Sequence, residues 1–385
     1  MKLFVHLPVF ILVFLLRNLG VAQQPCDEAL LMNLKGKWEK RTDQSPWPDP
    51  SFPKNQYSQV NIRIDKMQKI LQAAYPEPRG IEAGWYRSIS GKALVQSGPV
   101  PFELTAILLA YYCDNNNNNT KELGGETDTW FYVWANQINW FADYVSYYTI
   151  NKQPVYLLTQ RVGELNGSPL YMGIHNKNSN TGIAHSHAQI ITRDGQSPYL
   201  PVKRKTFLQS ILKWNESQFK KNIEDIEKNM SVRTDAEEES YKKNQWAIIE
   251  KRTRPDRLAK SRENFLKNYL SSRQQKENLL AKIKKNHEDE IKPAQDFLAN
   301  SSEAELAQPA IIDDLTGFKQ FSTFQKGGRE LVRLNPDYFD RKLPRFVPQF
   351  LIVYWRWDDH AAGKYFNKQV EEHFNFTALK EMIDK

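Results

Sequence analysis

The sequence lacks the residue strings that announce a familiar chemistry. It has no Gly-x-Ser-x-Gly elbow, no phosphate loop, no dinucleotide fingerprint and no Cys-x-x-Cys. His287-Glu288-Asp289-Glu290-Ile291 begins as a zinc-protease helix does but lacks the second histidine. These absences lower the expectation of an enzyme without removing it. Long apolar runs are missing too once the first residues are passed. Ala106 to Tyr112 and Phe350 to Trp355 are the longest, well short of the ~20 residues that a membrane-spanning helix needs, and both read as buried strands. The formal charge of +8 is too mild, and too evenly mixed, to argue for a nucleic-acid partner.

What is present begins with an export signal. Met1-Lys2 gives a positive start, Val9 to Leu16 is an unbroken apolar run of signal-core length, and Gly20-Val21-Ala22 supplies small residues for a peptidase. Cleavage is expected after Ala22, so residues 1–22 are a signal peptide and the processed chain, with 51 basic and 45 acidic residues, keeps a charge of +6. The compartment is then periplasmic or extracellular, where disulfides persist. Cys26 and Cys113, the two cysteines, are expected to pair, which would pin the processed N-terminus to the end of a strand.

Periodicity suggests an α+β fold. Val60, Ile64, Met67, Ile70 and Leu71 keep helical spacing until Tyr75-Pro76-Glu77-Pro78 stops it. Phe102 to Cys113 and Trp130 to Trp134 read as strands. Val155 to Val162, Leu170 to Ile174 and Ile183 to Arg193 follow as an antiparallel meander, with Asn166-Gly167 marking a turn. From Lys205 to Asn300 glycine is scarce, charge is dense and apolar residues fall at helical steps. Leu212, Phe219, Ile223, Ile226 and Met230 form one seam; Leu266, Tyr269, Leu270, Arg273, Leu280 and Ile283 form a weaker second. This pattern predicts an antiparallel helical hairpin or short coiled coil over 203–304, broken near Asp235 and Pro255 and inserted into an antiparallel sheet body. That body is formed by 23–202 and completed by 305–385, with Phe350 to Trp355 as its closing strand.

The string Ile190-Ile191-Thr192-Arg193-Asp194-Gly195-Gln196-Ser197-Pro198-Tyr199-Leu200-Pro201-Val202-Lys203-Arg204-Lys205, with Trp85 to Ser90 and Tyr111-Tyr112-Cys113, resembles a family of exported bacterial proteins to which no activity is attached. The likeness extends over much of the processed chain. It supports the compartment and implies nothing about mechanism.

Four constellations could carry chemistry. His185 and His187 lie two apart in a predicted strand and so share a face, as zinc or copper ligands often do, and His175 could join them. A third protein ligand is not placed nearby, and a solvated face is the preferred reading. Asp114 to Thr120 offers oxygens in a calcium-loop order, but Asn119 stands where the sharp turn wants glycine and Glu126 arrives one residue late, so a polar loop is expected. Trp130, Tyr132 and Trp134, in an aromatic stretch that continues through Trp140, Phe141, Tyr144, Tyr147 and Tyr148, could stack on sugar rings, although aromatics are also ordinary core material. Trp355, Trp357, Asp358, Asp359 and His360 could form a charged aromatic rim, with a turn as the preferred role.

The resulting expectation is a non-catalytic binding or scaffolding protein of the cell envelope that meets a protein partner through the helical segment, with no nucleic acid, no membrane span in the processed chain and no required cofactor. The alternatives are an envelope-associated hydrolase, metal-dependent through His185 and His187, and a glycan-binding module.

Overall fold

The computed structural model describes residues 26–44, 52–89, 93–114, 120–138, 141–150, 153–173, 185–313 and 318–385, with backbone alone at 120, 143, 144 and 146–148. Residues 1–22, expected to be a signal peptide, lie outside the described residues. Strands and helices are numbered along the chain. The α+β expectation holds, and the strands form mostly antiparallel sheets. The chain divides into two compact units, the first comprising residues up to Phe141, Arg161–Pro198 and Pro336–Lys385, the second Ala142–Gln160 and Tyr199–Asn335.

In the first unit a sheet runs in the order β1 (Trp38–Lys40), β2 (Ile81–Ile89), β3 (Phe102–Asp114), β5 (Trp130–Ala135), β14 (Leu351–Trp357), β10 (His185–Ile191), β9 (Ser168–Met172), β8 (Arg161–Leu165), with β4 (Thr120–Leu123) on β3. The pairings are antiparallel except that of β1 with β2. β14 is the last strand in sequence but lies centrally, pairing Val353 with Val133 of β5 and with Gln189 of β10. A central strand is covered on both faces, which explains its unbroken apolar run; Leu351, Ile352, Val353, Tyr354 and Trp355 are all fully buried.

One face carries the core. α2 (Tyr57–Ala74) lays Val60, Ile64, Met67 and Leu71 into a cluster with Leu104, Ala106 and Leu108, and α8 (Ala361–His373) adds Phe366 and Val370. Each fully buried aliphatic side chain of this kind contributes ~1.5–3 kcal/mol. The helix stops where Tyr75 leaves helical geometry, as the Pro-rich stop predicts. Cys26 and Cys113 are bonded, and they fix the residue before α1 (Glu28–Met32) to the end of β3. At the end of β5, Asn136 has a φ of +57° and is fully buried. Its amide donates to the carbonyls of Val100 (3.1 Å) and Val347 (3.3 Å) and its Oδ1 accepts from the Gln349 N–H (2.8 Å), so no polar atom of that side chain is left unpaired. α9 (Phe376–Lys380) follows α8 and buries Leu379.

The second unit has a sheet in the order β11 (Tyr199–Pro201), β13 (Arg329–Leu334), β7 (Gln153–Leu158), β6 (Ala142–Ile150), with β12 (Ile311–Ile312) on β13. Five helices belong to it: α3 (Arg204–Asn229), α4 (Asp235–Arg252), α5 (Leu258–Asn268), α6 (Ser272–Asn300) and α7 (Glu303–Leu306). Its core joins Val155, Leu157 and Leu331 from the sheet to Phe207, Leu208 and Ile211 of α3 and Ala294 of α6.

Three expectations are corrected here. The run Val155 to Val162 is not one strand: β7 ends at Leu158 and belongs to the second sheet, while β8 starts at Arg161 and pairs with β9 in the first. The meander therefore consists of β8, β9 and β10. Residues 305–335 do not return to the first sheet, since β12 and β13 pair within the second. Among the described residues there is no long coiled-coil hairpin. α3 and α6 do lie antiparallel, with Phe219 stacked on His287 at 4.3 Å, but α4 and α5 come between them in sequence. The run breaks near Asp235 and Pro255, as expected: α4 starts at Asp235 behind a reciprocal capping box of Thr234 with Glu237, Pro255–Arg257 separates α4 from α5, and a further box of Ser271 with Gln274 starts α6.

Candidate functional site

β10 places His185 and His187 on the face that carries the core, at its edge, where the His185 side chain stays 42% exposed and that of His187 is half-buried. Their cross-strand partners on β14 are Trp357 and Trp355. His185 stacks on Trp357 at 5.5 Å, and His187 meets Trp355 and Trp357 edge-on at 5.6 and 5.0 Å. The solvated-face expectation holds for His185 but not for His187, which packs against the tryptophans of the central strand β14. His185 Nε2 lies 3.1 Å from Asp359, just before α8, and His187 Nδ1 lies 3.1 Å from Glu371 on α8. Burial lowers the pKa of His187, and Glu371 opposes that shift with its charge and hydrogen bond. The hydrogen bond from His185 holds the Asp359 carboxyl below its usual range, and Lys364 adds to the effect.

Each histidine thus has its own carboxylate. Among the described residues no group of three or more His, Cys, Asp or Glu side chains is gathered as a metal would require. His175 and the asparagine run 115–119 lie outside the described residues. Of the remaining rim residues, Asp358 is buried. Its Oδ1 accepts from the His360 N–H at 3.2 Å at the entrance to α8, which is the turn role expected of it. Burial raises its pKa.

Trp130, Tyr132 and Trp134 share the opposite face of β5, as their alternation predicts. Trp130 stacks on Tyr132 at 5.8 Å, and Trp134 stacks on Tyr354 at 5.1 Å. Tyr132 is 7% and Trp134 1% exposed, so of the three only Trp130 offers part of a ring to the surface. Trp140 and the side chains of Tyr144, Tyr147 and Tyr148 are outside the described residues. On the same face Glu103 accepts from Gln137 Nε2 at 3.1 Å, and burial pushes its carboxyl upward.

The second unit provides a site that the spacing analysis missed. α4 and α5 bury no side chain at all. They lie against each other through Trp246 of α4 and Phe265 of α5 (5.8 Å), and Phe265 in turn packs on Tyr269 at the end of its own helix (5.4 Å). They are tied to α6 by Glu238, whose carboxylate accepts from the Tyr269 hydroxyl and from Ser272. Between them is a cleft of about 590 Å³ lined by Tyr241, Gln245, Asn264, Phe265, Asn268 and their neighbours. Among the described residues, six of the ten exposed large apolar side chains fall from Val232 to Leu279, including Ile248 (46%), Leu266 (54%) and Leu270 (43%). Leu266 and Leu270 are therefore surface residues rather than members of a buried seam, because the chain leaves the helix at Tyr269 and the second seam is broken there.

Residues 242–267 hold nine basic and three acidic side chains, a net +6, but Asp235, Glu237, Glu238 and Glu239 precede them on α4, so residues 235–268 as a whole net +2. Lys243, Lys251, Arg252, Arg254, Lys260 and Lys267 are exposed. The whole-chain balance concealed this patch, which a window of helical length would have revealed. No helix of the described residues is long and apolar enough to cross a membrane. No protein-family model, curated protein sequence or solved structure matches the chain.

Proposed function

We propose that this chain is an exported protein of the cell envelope that binds or scaffolds without chemistry of its own, and that α4 and α5 are the element it presents to a protein partner. The observation that carries this reading is that the two helices bury nothing themselves yet display Ile248 and Leu266, while Leu270, just past α5, lines an open cleft between them. Monomeric surfaces rarely gather exposed apolar side chains, and where they do the patch commonly marks an interaction site. Export is supported by the signal-like opening residues, by the resemblance to exported proteins, and by a Cys26–Cys113 bridge of the kind that oxidising compartments preserve.

The test is photo-crosslinking in the producing cell. A benzophenone amino acid at Ile248 or at Leu266 should yield a discrete adduct of higher mass, and the same probe at Lys213, exposed on α3, should not. If both probes on α4 and α5 return only the uncrosslinked chain, the reading fails.

A further inference from the structure

We infer that this chain is N-glycosylated during export, at Asn166, Asn229 and Asn375, an assignment that rests on the reading of the chain as an exported protein.

Six of the 28 asparagines head an Asn-x-Ser/Thr triplet without a central proline, where the 36 serines and threonines among 385 residues would place about two or three by abundance alone. They are Asn118, Asn166, Asn215, Asn229, Asn300 and Asn375, of which Asn118 lies outside the described residues. The spacing matters because an oligosaccharyltransferase reads the hydroxyl two residues beyond the amide that it modifies. In that transfer Nδ2 bonds to C1 of a sugar carried on a polyprenyl diphosphate, and the C1–O bond breaks. The diphosphate leaves with the electron pair, and the amide proton passes to a base of the transferase.

An N-linked sugar is bulky and strongly hydrated, so the folded chain has to hold it outside. Three sites meet this condition. Asn166, exposed, forms the β8–β9 turn with Gly167 at φ values of +53° and +74°, and a Cβ at Gly167 would meet nothing within 4 Å. Asn229 is the last residue of α3; it and Ser231 are exposed, and Met230 between them has left helical geometry. Asn375 stands between α8 and α9, and it and Thr377 are exposed. Its Oδ1 accepts the Ala378 N–H at 2.9 Å as the cap of α9, whereas a sugar bonds to Nδ2, so cap and glycan coexist. Two sites do not meet it. Asn215 is half-buried within α3, in the groove where Phe219 stacks on His287. Asn300 donates from Nδ2 to the Asp296 carbonyl at 2.8 Å, so the nitrogen that would hold the sugar faces its own helix.

The distribution agrees with the contact surface proposed above. Asn244, Asn264, Asn268, Asn278 and Asn286 lie between Ser231 and Asn300, and none heads a triplet, so α4 and α5 stay bare. Asn166 instead places its glycan beside β8, the end strand of the first sheet among the described residues, where Val162 is exposed. A hydrated group there blocks the addition of a further strand.

The test is mass spectrometry of the protein isolated from the cell that produces it. The intact mass should exceed that of the processed polypeptide. Peptides holding Asn166, Asn229 and Asn375 should each bear an adduct that fragments to sugar oxonium ions, while those holding Asn215 and Asn300 should have unmodified masses. Ser231→Ala, which keeps Asn229 and removes only an exposed hydroxyl, should abolish the adduct on Asn229 and leave the other two.

The inference is overturned if fewer than two of the three sites bear sugar, if Asn215 and Asn300 are modified as fully as they are, or if Ser231→Ala leaves the Asn229 adduct in place. The N-terminal peptide in the same spectra separates this failure from that of export. A chain that begins at Gln23 without sugar removes glycosylation and leaves export standing; one that begins at Met1 without sugar removes both.

Discussion

One carboxylate oxygen of Glu238 on α4 holds both polar groups of Ser272 at the start of α6, accepting its backbone N–H at 3.1 Å and its hydroxyl at 2.8 Å. The Ser272 oxygen in turn accepts the Arg233 N–H at 2.9 Å, so the segment leaving α3 and the first turn of α6 meet at one small residue. This joint sets where the α4 and α5 element stands on the longer helix pair.

The joint should respond to acid. The Tyr269 hydroxyl, and next the Ser272 hydroxyl, hold the Glu238 carboxyl down at about 2, below its ordinary value of 4.5. A carboxyl depressed by folding contributes its full stabilisation above the ordinary value and loses it as pH falls toward the folded one. Protection of residues 232–270 against hydrogen exchange, referred to the intrinsic rate at each pH, should therefore be high at pH 5.5 and fall toward pH 3, with the protection of β7 and β13 unaffected. Glu238→Gln should show low protection at both pH values; unchanged protection in that variant would contradict the role assigned to the carboxylate.

His187 gives a second pH dependence, in the first unit. Burial lowers its pKa below the ordinary 6.5, so the folded state binds its proton less readily than the unfolded chain does. Its contribution is complete above about 6.5 and is lost as pH falls through the depressed folded value. Glu371 of α8 and His185 on its own strand are the charged groups that face it. The unfolding temperature should drop between pH 7.5 and 5.5, and His187→Gln should reduce that drop. An equal drop in parent and variant would mean that other groups govern the transition.

Removing the Cys26–Cys113 bridge by a double Cys→Ser change should cost roughly 4–5 kcal/mol in the chain-entropy description, because it frees a loop that spans 87 positions. Urea unfolding of both forms measures it. A loss under about 1 kcal/mol would mean that the loop is already restrained in the unfolded chain.

Two deletions separate a removable element from an integral one. Excising residues 232–270 and joining the ends by a short linker should leave cooperative unfolding intact, because α4 and α5 contribute nothing to the core. Excising 205–300 removes Phe207, Leu208, Ile211 and Ala294 together, and large buried side chains cost ~2–5 kcal/mol each when truncated, so the second unit should not fold. A well-folded second unit in the larger deletion would contradict the core described for it.

Much of this architecture is legible in one dimension. The α2 seam, the central strand β14 and the Asn166-Gly167 turn, with φ values of +53° and +74°, are all local patterns whose physics is complete within a short window. The breaks near Asp235 and Pro255 were legible too, and Ser271-x-x-Gln274 would have added the start of α6. The candidate site was much less visible. Helical spacing marks Leu266 and Leu270 as apolar in the same way that it marks Ile226, which is buried, because periodicity reports which residues share a face and not whether anything covers it.

The sequence by itself determined the helices, most strands, the cysteine pair and the local concentration of positive charge, since these follow from residue type and spacing. Only the tertiary structure decided that the chain passes from one sheet to the other between Leu158 and Arg161, that His187 packs against Trp355 and Trp357, and that α4 and α5 are left without a covering layer. Those outcomes depend on pairings between residues far apart in the chain, such as Val353 with Val133, and no local preference specifies which distant strand completes a sheet or which helical face remains bare.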